Sequence, residues 1–271
     1  MNALNKSMQN TRNKIDAVIQ ARMGSTRLPK KALLKIQGRT LIEWIFYRLS
    51  FCKEIDTVVL STSDTTENNV LVKHAEAIGL PYFRGSETDL ILRHLGAGLK
   101  HGADAIVRIT ADCPLVDPAI VDKLVCVFKD SQDQFDLVTN VFPPTYPDGM
   151  DVEVIPMRTL ERLDREVQDP RYREWLTVAI MENPQKFKIK NVKYKDDFSG
   201  LRLTVDYPED LRLTEEIFKT LHKEGATFYL EDILKLLQEK PELPRINKKW
   251  IDKTMINNSR LKAFYNLKSH Q

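Results

Sequence analysis

The stretch Ala17-Val18-Ile19-Gln20-Ala21-Arg22-Met23-Gly24-Ser25-Thr26-Arg27-Leu28-Pro29-Lys30-Lys31 decides the reading of this chain. A mostly apolar run, Ile15 to Ile19, reads as a buried strand and stops abruptly at a turn. Open α/β sheets hold phosphates where a buried strand delivers its carboxyl end to a small-residue, cationic loop. Ala21, Gly24 and Ser25 let backbone N–H groups approach an anion, and Arg22, Arg27, Lys30 and Lys31 neutralise it. Four positive charges without a negative one suit a triphosphate better than a single phosphate. The loop has neither the three glycines of a dinucleotide turn nor the G-x-x-x-x-G-K-[ST] spacing. A chance basic surface loop is the bland alternative, and the strand directly before it argues against that.

Outward from this loop, short apolar runs alternate with amphipathic segments of helical length. Residues 15–20, 57–61, 105–109 and 136–139 read as strands; residues 40–51, 67–78, 88–100 and 118–128 read as helices. This alternation argues for a mostly parallel sheet covered on both faces. Ligands of such sheets bind beyond the strand carboxyl ends. Residues 22–31, 62–64 and 110–115 should therefore lie together, which makes Ser63 and Asp64 candidates for the same pocket, with Arg108 on the third strand. Past Asn140 the alternation weakens. Residues 141–149, with three prolines and a glycine, read as a rigid loop. Residues 152–155, 186–192 and 201–205 read as strands, and 159–167, 171–181, 208–223 and 231–238 as helices. The remainder reads as a loosely packed extension.

Two aspartates end apolar runs. Asp112, in Arg-Ile-Thr-Ala-Asp-Cys-Pro-Leu (108–115), is either a turn cap or a magnesium ligand, since magnesium takes one or two protein carboxylates plus phosphate oxygens. Asp206, in Leu-Thr-Val-Asp-Tyr-Pro-Glu-Asp (203–210), is either the cap of the next helix or a second ligand; Glu209 and Asp210 suit the helix macrodipole. Two strand-end aspartates beside a polycationic turn form a coherent set: carboxylates for a metal, cations for phosphates. Farther on, Tyr146-Pro-Asp-Gly-Met-Asp-Val-Glu (146–153) is a turn followed by alternating carboxylates and valines. Asp151 and Glu153 share one strand face, either toward solvent or toward a polar ligand.

The bulk numbers narrow the class. The 271 residues allow one large α/β domain or two small ones. A net charge of +3 is too small and too scattered to argue for nucleic acid as partner. Three cysteines without metal-ligand spacing suggest free thiols in a reducing cytoplasm. No apolar run is long enough to span a bilayer, so membrane insertion is not expected. Residues 1–14 read as a disordered lead-in, 15–245 as the domain, and 246–271 as a basic extension; a homodimer is compatible with this organisation.

The chain closely resembles the cytidylyltransferase-like proteins grouped as spore coat polysaccharide biosynthesis protein F, relatives of the enzymes that activate acidic sugars as CMP conjugates. The patterns I-Q-A-R-x-G-S-T-R-L-P-G-K-x-L, R-x-T-x-D-C-P-L, Y-P-x-G-x-D-V-E-V and L-R-L-T-V-D-x-P-E-D-L align with residues 19–33, 108–115, 146–154 and 201–211. The resemblance implies a nucleotide-diphospho-sugar transferase-like domain with a mixed, mostly parallel sheet and helices on both faces. It further implies magnesium-dependent transfer of CMP from CTP to a small acceptor, with release of pyrophosphate. Arg22 and Lys31 would grip the triphosphate with Ser25 and Arg27 beside them, and Asp112 and Asp206 would hold the metal. Asn140, Tyr146, Asp151, Glu153 and Arg173 would face the acceptor. Three positions depart from the family: Lys30 and Ala111 replace glycines, so backbone at Ala111 must avoid positive φ, and Trp175 replaces a histidine. The nearest rival, a glycosyltransferase using a nucleotide sugar, would place its metal on Asp-x-Asp; Asp112 and Asp117 lack that spacing. A catalytically silent nucleotide-binding protein is the second rival, and the paired aspartates and basic loop argue against it.

Overall fold

The computed structural model describes residues 13–132 and 134–254, with side chains to residue 251. The predicted lead-in lies almost entirely outside these residues, as does the end of the basic extension. The β-strands are β1 (Ile15–Gln20), β2 (Lys35–Ile36), β3 (Arg39–Thr40), β4 (Thr57–Ser63), β5 (Tyr82–Gly85), β6 (Ala105–Thr110), β7 (Leu137–Thr139), β8 (Glu153–Pro156) and β9 (Ile189–Asn191). The helices are α1 (Leu41–Leu49), α2 (Asn69–Ala77), α3 (Leu90–His101), α4 (Pro118–Asp130), α5 (Met157–Glu166), α6 (Pro170–Glu174), α7 (Val178–Met181), α8 (Pro208–Leu221), α9 (Leu230–Glu239) and α10 (Lys248–Thr254).

Seven strands form one sheet in the order β5-β4-β1-β6-β8-β7-β9, while β2 and β3 form a separate ribbon. The strands β5, β4, β1 and β6 are parallel, β8 runs antiparallel to both β6 and β7, and β9 is parallel to β7. The period-2 alternation of β1 sorts its side chains to two cores. Ile15, Ala17 and Ile19 pack with α1, α4, α8 and α9 on one face, and Val18 packs with α3 and α5 on the other. The helices start where the chain supplies caps. Thr40 and Glu43 form a reciprocal capping box on α1, and Asp117 accepts the Ala119 N–H at 2.7 Å ahead of Pro118 on α4.

Three segments depart from the sequence reading. Residues 82–85 form the edge strand β5 inside a stretch too short and mixed to show periodicity. The expected helix over 171–181 breaks at Trp175 (φ −113°, ψ 64°) into α6 and α7. Residues 201–205 form only an isolated bridge, Arg202 with Asp148, rather than a strand, and their hydrogen bonds go to two different loops. The Leu203 N–H donates to Asp148 O (2.7 Å) and the Val205 N–H to Asp112 O (2.7 Å). That divided pairing fastens the loops of Asp112 and Asp148 to the run-up to Asp206. It also demands a glycine at 149, where φ is +101° and a Cβ would stand 2.6 Å from Thr204 N.

Candidate active site

A cavity of about 320 Å³ opens at the carboxyl ends of β1 and β6. It is lined by the cationic loop, the end of β6 through Asp112, and residues 174–178. The loop is pinned at its root: the Ala21 N–H donates to Ser61 O (3.0 Å) on β4, and the Met23 N–H to Asn68 Oδ1 (2.8 Å). Lys30 adopts the left-handed conformation (φ 57°), which explains why the related pattern has glycine there; a side chain in that region costs about 1–2 kcal/mol. The turn it makes presents Lys31 inward. Ala111 stays out of the left-handed region, as its Cβ requires.

Lys31 joins the two halves of the site. Its Nζ donates to Asp112 Oδ2 at 2.8 Å and to Asp206 Oδ1 at 2.7 Å. Burial would raise the Asp112 carboxyl, but the Lys31 ammonium outweighs it and holds that carboxyl well below the usual range. Burial would likewise lower the Lys31 ammonium, and its two carboxylate partners reverse that and raise it. Two hard oxygens therefore converge on one cation-sized point, a donor set that fits a divalent metal bound to phosphates. Arg27 approaches the other face of Asp206, with Nη2 2.9 Å from Oδ2. Across the cavity mouth, Arg22 reaches toward Glu87 (3.4 Å) and Glu174 (3.8 Å).

Behind Asp206 stands Arg202, a buried arginine. Its guanidinium donates to Asp148 Oδ2 (2.9 Å), Asp206 Oδ2 (3.2 Å) and Asp210 Oδ2 (3.1 Å). Asp210 also accepts the backbone N–H groups of Asp206 and Tyr207, each at 3.0 Å. Burial and the nearby Asp151 carboxylate push Asp148 up to about 7, against the pull of Arg202. Arg93 lines the cavity from α3 and is 1% exposed. Its Nη1 donates to Ser86 O, whereas Nε and Nη2 have no partner among the described residues. Burial lowers this guanidinium to about 10, Glu87 opposes that, and Arg22 and Arg108 reinforce it.

Of the residues expected at the nucleotide, Ala21, Arg22, Gly24, Ser25, Arg27, Lys31, Arg108 and Asp112 line the cavity. Ser63 and Asp64 do not. The Ser63 hydroxyl accepts from Asn68 Nδ2 (2.6 Å), and Asp64 is exposed beyond β4. The residues expected at the acceptor stand outside the cavity wall. Both ends of the Asn140 amide serve the loop backbone, bonding Met150 O (2.7 Å) and Val152 N–H (2.9 Å). Tyr146 is buried against Tyr194. Glu153 is buried and accepts from Arg108 (2.5 Å) and Thr177 (2.9 Å), so it orients a cavity arginine rather than facing a ligand itself. Arg173 braces α6 through Asp89 (2.5 Å), Asp164 and Val167 O (2.8 Å). Asp151 lies close enough to Asp148 for their charges to repel.

Four participants escaped the sequence reading. Arg202 interrupts an apolar run, and a charge inside such a run calls for a buried partner. Arg93 sits on the apolar side of α3, a similar sign. Asp148 and Asp210 looked like a turn residue and a helix-start residue, and nothing local distinguishes their second role.

A family model described as cytidylyltransferase matches residues 17–246. The uncharacterised protein MJ1063 of Methanocaldococcus jannaschii is 32% identical over 86% of this chain and 94% of its own length. Spore coat polysaccharide biosynthesis protein SpsF of Bacillus subtilis is 27% identical over 85% of this chain and 96% of its own. The solved structure of a cytidylyltransferase from Leptospira borgpetersenii aligns with a TM-score of 0.81 at 35% identity, covering 85% of this chain and 96% of that one. A CMP:2-keto-3-deoxy-manno-octonic acid synthetase, solved with CTP, shares the fold at a TM-score of 0.59 and 19% identity, covering 76% and 99%.

Proposed function

Because the chain belongs to the cytidylyltransferase family, we propose that it transfers CMP from CTP to an oxygen of a small acceptor, a sugar or sugar acid destined for a surface polysaccharide. The observation that carries this reading is the convergence of Lys31 from the cationic loop with Asp112 and Asp206 from two other segments. Arg22, Arg27 and Lys31 bind and orient the triphosphate, and the backbone N–H groups around Gly24 and Ser25 approach it closely. An acceptor oxygen forms a bond to the α-phosphorus as the bond to the bridging oxygen breaks, and pyrophosphate leaves. Charge grows on that bridging oxygen, and the preorganised Lys31 and Arg22 stabilise it.

Asp112 and Asp206 would hold magnesium. Among the described residues no group of three or more His, Cys, Asp or Glu side chains is placed to hold a metal, so phosphates and water would complete its shell. Bound there, the ion supplies charge neutralisation to the triphosphate. Arg93 adds positive charge to the cavity lining from α3. Asp151, which lies beside Asp148 outside the cavity lining, is proposed as a contact for the acceptor. The free cysteines Cys52, Cys113 and Cys126 fit a reducing, cytoplasmic setting.

The test is pyrophosphate release from CTP and magnesium across a panel of sugars and sugar acids. Acceptor-dependent release with CTP, and weaker release with ATP, GTP or UTP, is the expected result. Release of a nucleoside diphosphate from a nucleotide sugar instead would establish the glycosyltransferase, and CTP binding without turnover on any acceptor would establish the silent binding protein.

A further inference from the structure

The family match ends at residue 246, yet the next residues pack against the groups that surround Asp206. Asn247 is 1% exposed. Its Nδ2 donates to Arg202 O at 2.9 Å and to Asp210 Oδ1 at 2.8 Å. Both acceptors belong to residues that fix Asp206. Arg202 donates to its Oδ2, and Asp210 accepts its backbone N–H. Three residues on, the Trp250 ring lies flat on Tyr207, the neighbour of Asp206, with centroids 3.5 Å apart and planes 2° from parallel. The Trp250 indole N–H donates to Glu209 Oε2 (2.9 Å), and Lys249 Nζ donates to Glu209 Oε1 (2.7 Å). The guanidinium of Arg27, which pairs with Asp206, stands 5.6 Å from the same Tyr207 ring. Asp206 is thus held from the loop side by Arg27 and Lys31 and from the other side by a block that Asn247 and Trp250 close.

We propose that Asn247 and Trp250 are positioning residues for Asp206, so that a segment beyond the family domain sets the affinity of the site for metal-bound nucleotide. This rests on the reading of Asp206 as a magnesium ligand. The physical reason is directional. Asp206 ends a segment that has no strand ladder of its own, so its carboxylate direction depends on side-chain partners. Magnesium tolerates little deviation from octahedral geometry, and partners that orient a ligating carboxylate commonly govern 10–100-fold of metal affinity. Asn247 fits this role because its amide ties an oxygen of Asp210 to the backbone of Arg202, locking the two groups that grip Asp206. Trp250 fits it because its ring stacks face to face on Tyr207, which restrains that residue and the backbone of Asp206 directly before it.

Calorimetric titration of CTP into the full chain, with and without magnesium, tests the proposal on wild type, Asn247→Leu, Trp250→Ala, Trp250→Phe and Asp206→Asn, with thermal unfolding of the same samples. The expected result is a loss of roughly 10–100-fold in magnesium-dependent CTP affinity for Asn247→Leu, and about tenfold for Trp250→Ala. Metal-free CTP binding should change less than twofold, and Trp250→Phe, which keeps an aromatic face, should recover most of the loss. Should Asn247→Leu fail to fold, the Trp250 pair decides alone. Magnesium-dependent affinity within twofold of wild type in Trp250→Ala overturns the proposal. So does an equal loss with and without metal, which would mark a merely loosened fold. If Asp206→Asn itself binds magnesium–CTP like wild type, the ligand reading fails and the positioning role falls with it.

Discussion

The two sides of the site are built by opposite strategies. The cationic side is one contiguous loop, residues 21–31, hung from β1 in the parallel half of the sheet and pinned to β4. The acidic side is assembled from four segments. Asp112, Asp148 and Asn247 each come from elsewhere in the chain and meet Arg202, Asp206 and Asp210 of the 201–211 stretch where the parallel ladder gives way to loops. A loop that carries its own charges can be read residue by residue. A cluster whose charges balance only on folding cannot, because each member looks locally like a cap or a turn. The two sides also differ in how replaceable a part is. Arg22, Arg27 and Lys31 act in parallel, whereas the acidic cluster is a chain of dependencies ending at Asp206.

The comparison is broken most directly at its junction. Asp112→Asn and Asp206→Asn each remove a hard oxygen charge and should each lower turnover by several kcal/mol of transition-state stabilisation, with the fold retained. Single-turnover kinetics and circular dichroism on each variant check this; near-wild-type turnover in both would disconnect the acidic side from catalysis.

On the cationic side the effect should be graded. Lys31→Ala should cost about 2–4 kcal/mol in kcat/KM, the scale of one preorganised donor, and Arg22→Ala a comparable amount. Lys35, exposed on β2 just past the loop, serves as the contrast, and Lys35→Ala should leave kcat/KM within about twofold. Equal losses at Lys31 and Lys35 would mean that general positive charge, not the loop, does the binding.

Glycines sharpen the comparison as a matter of stability. Gly24, in the cationic loop, has nothing within 4 Å of where a Cβ would be, and Gly24→Ala should shift unfolding free energy by no more than about 0.5 kcal/mol. Gly149→Ala would drive a Cβ into the backbone of Leu203 and Thr204 at positive φ and should cost roughly 2–3 kcal/mol, since the turn and the Asp206 run cannot both stay in place. Urea denaturation of the two variants gives the answer, and similar values would show that the acidic side tolerates loosening.

A further way to break the comparison is the pH dependence of stability. Asp148 is pushed up from 3.8 to about 7, so between those values the folded chain binds more protons there than the unfolded chain. Its contribution to stability therefore falls as pH rises from about 4 to about 7 and is flat outside that window. Asp112 has the opposite sign: its carboxyl is held below 3.8, and the stability it contributes is lost as pH falls through the acid range. Asp148→Asn should flatten the slope between pH 4 and 7 and leave the acid limb in place. A slope unchanged by that substitution would assign it to another group.

Much of the parallel half was legible because each piece has a local cause. The alternation in β1 and the run of cations after Gln20 follow from side-chain period and charge. The antiparallel half was legible only in outline. The segment 201–205 has the composition of a strand and becomes instead a strap between two loops, because its neighbours in space are Asp112 and Asp148 rather than a β-partner. The break at Trp175 is likewise unmarked by glycine or proline.

By itself, the sequence determined the fold class, the cationic loop at the carboxyl end of β1 and the pair of aspartates, since periodicity and charge act over a few neighbouring residues. Tertiary structure decided which charges neutralise which. Only in the folded chain does Lys31 meet both aspartates, Arg202 become an internal counter-ion, Arg93 retain two unpaired donors and Asn247 close the acidic block. The electrostatic and hydrogen-bond terms behind these roles depend on distances between residues far apart in the chain, and those distances do not exist until the two cores have packed.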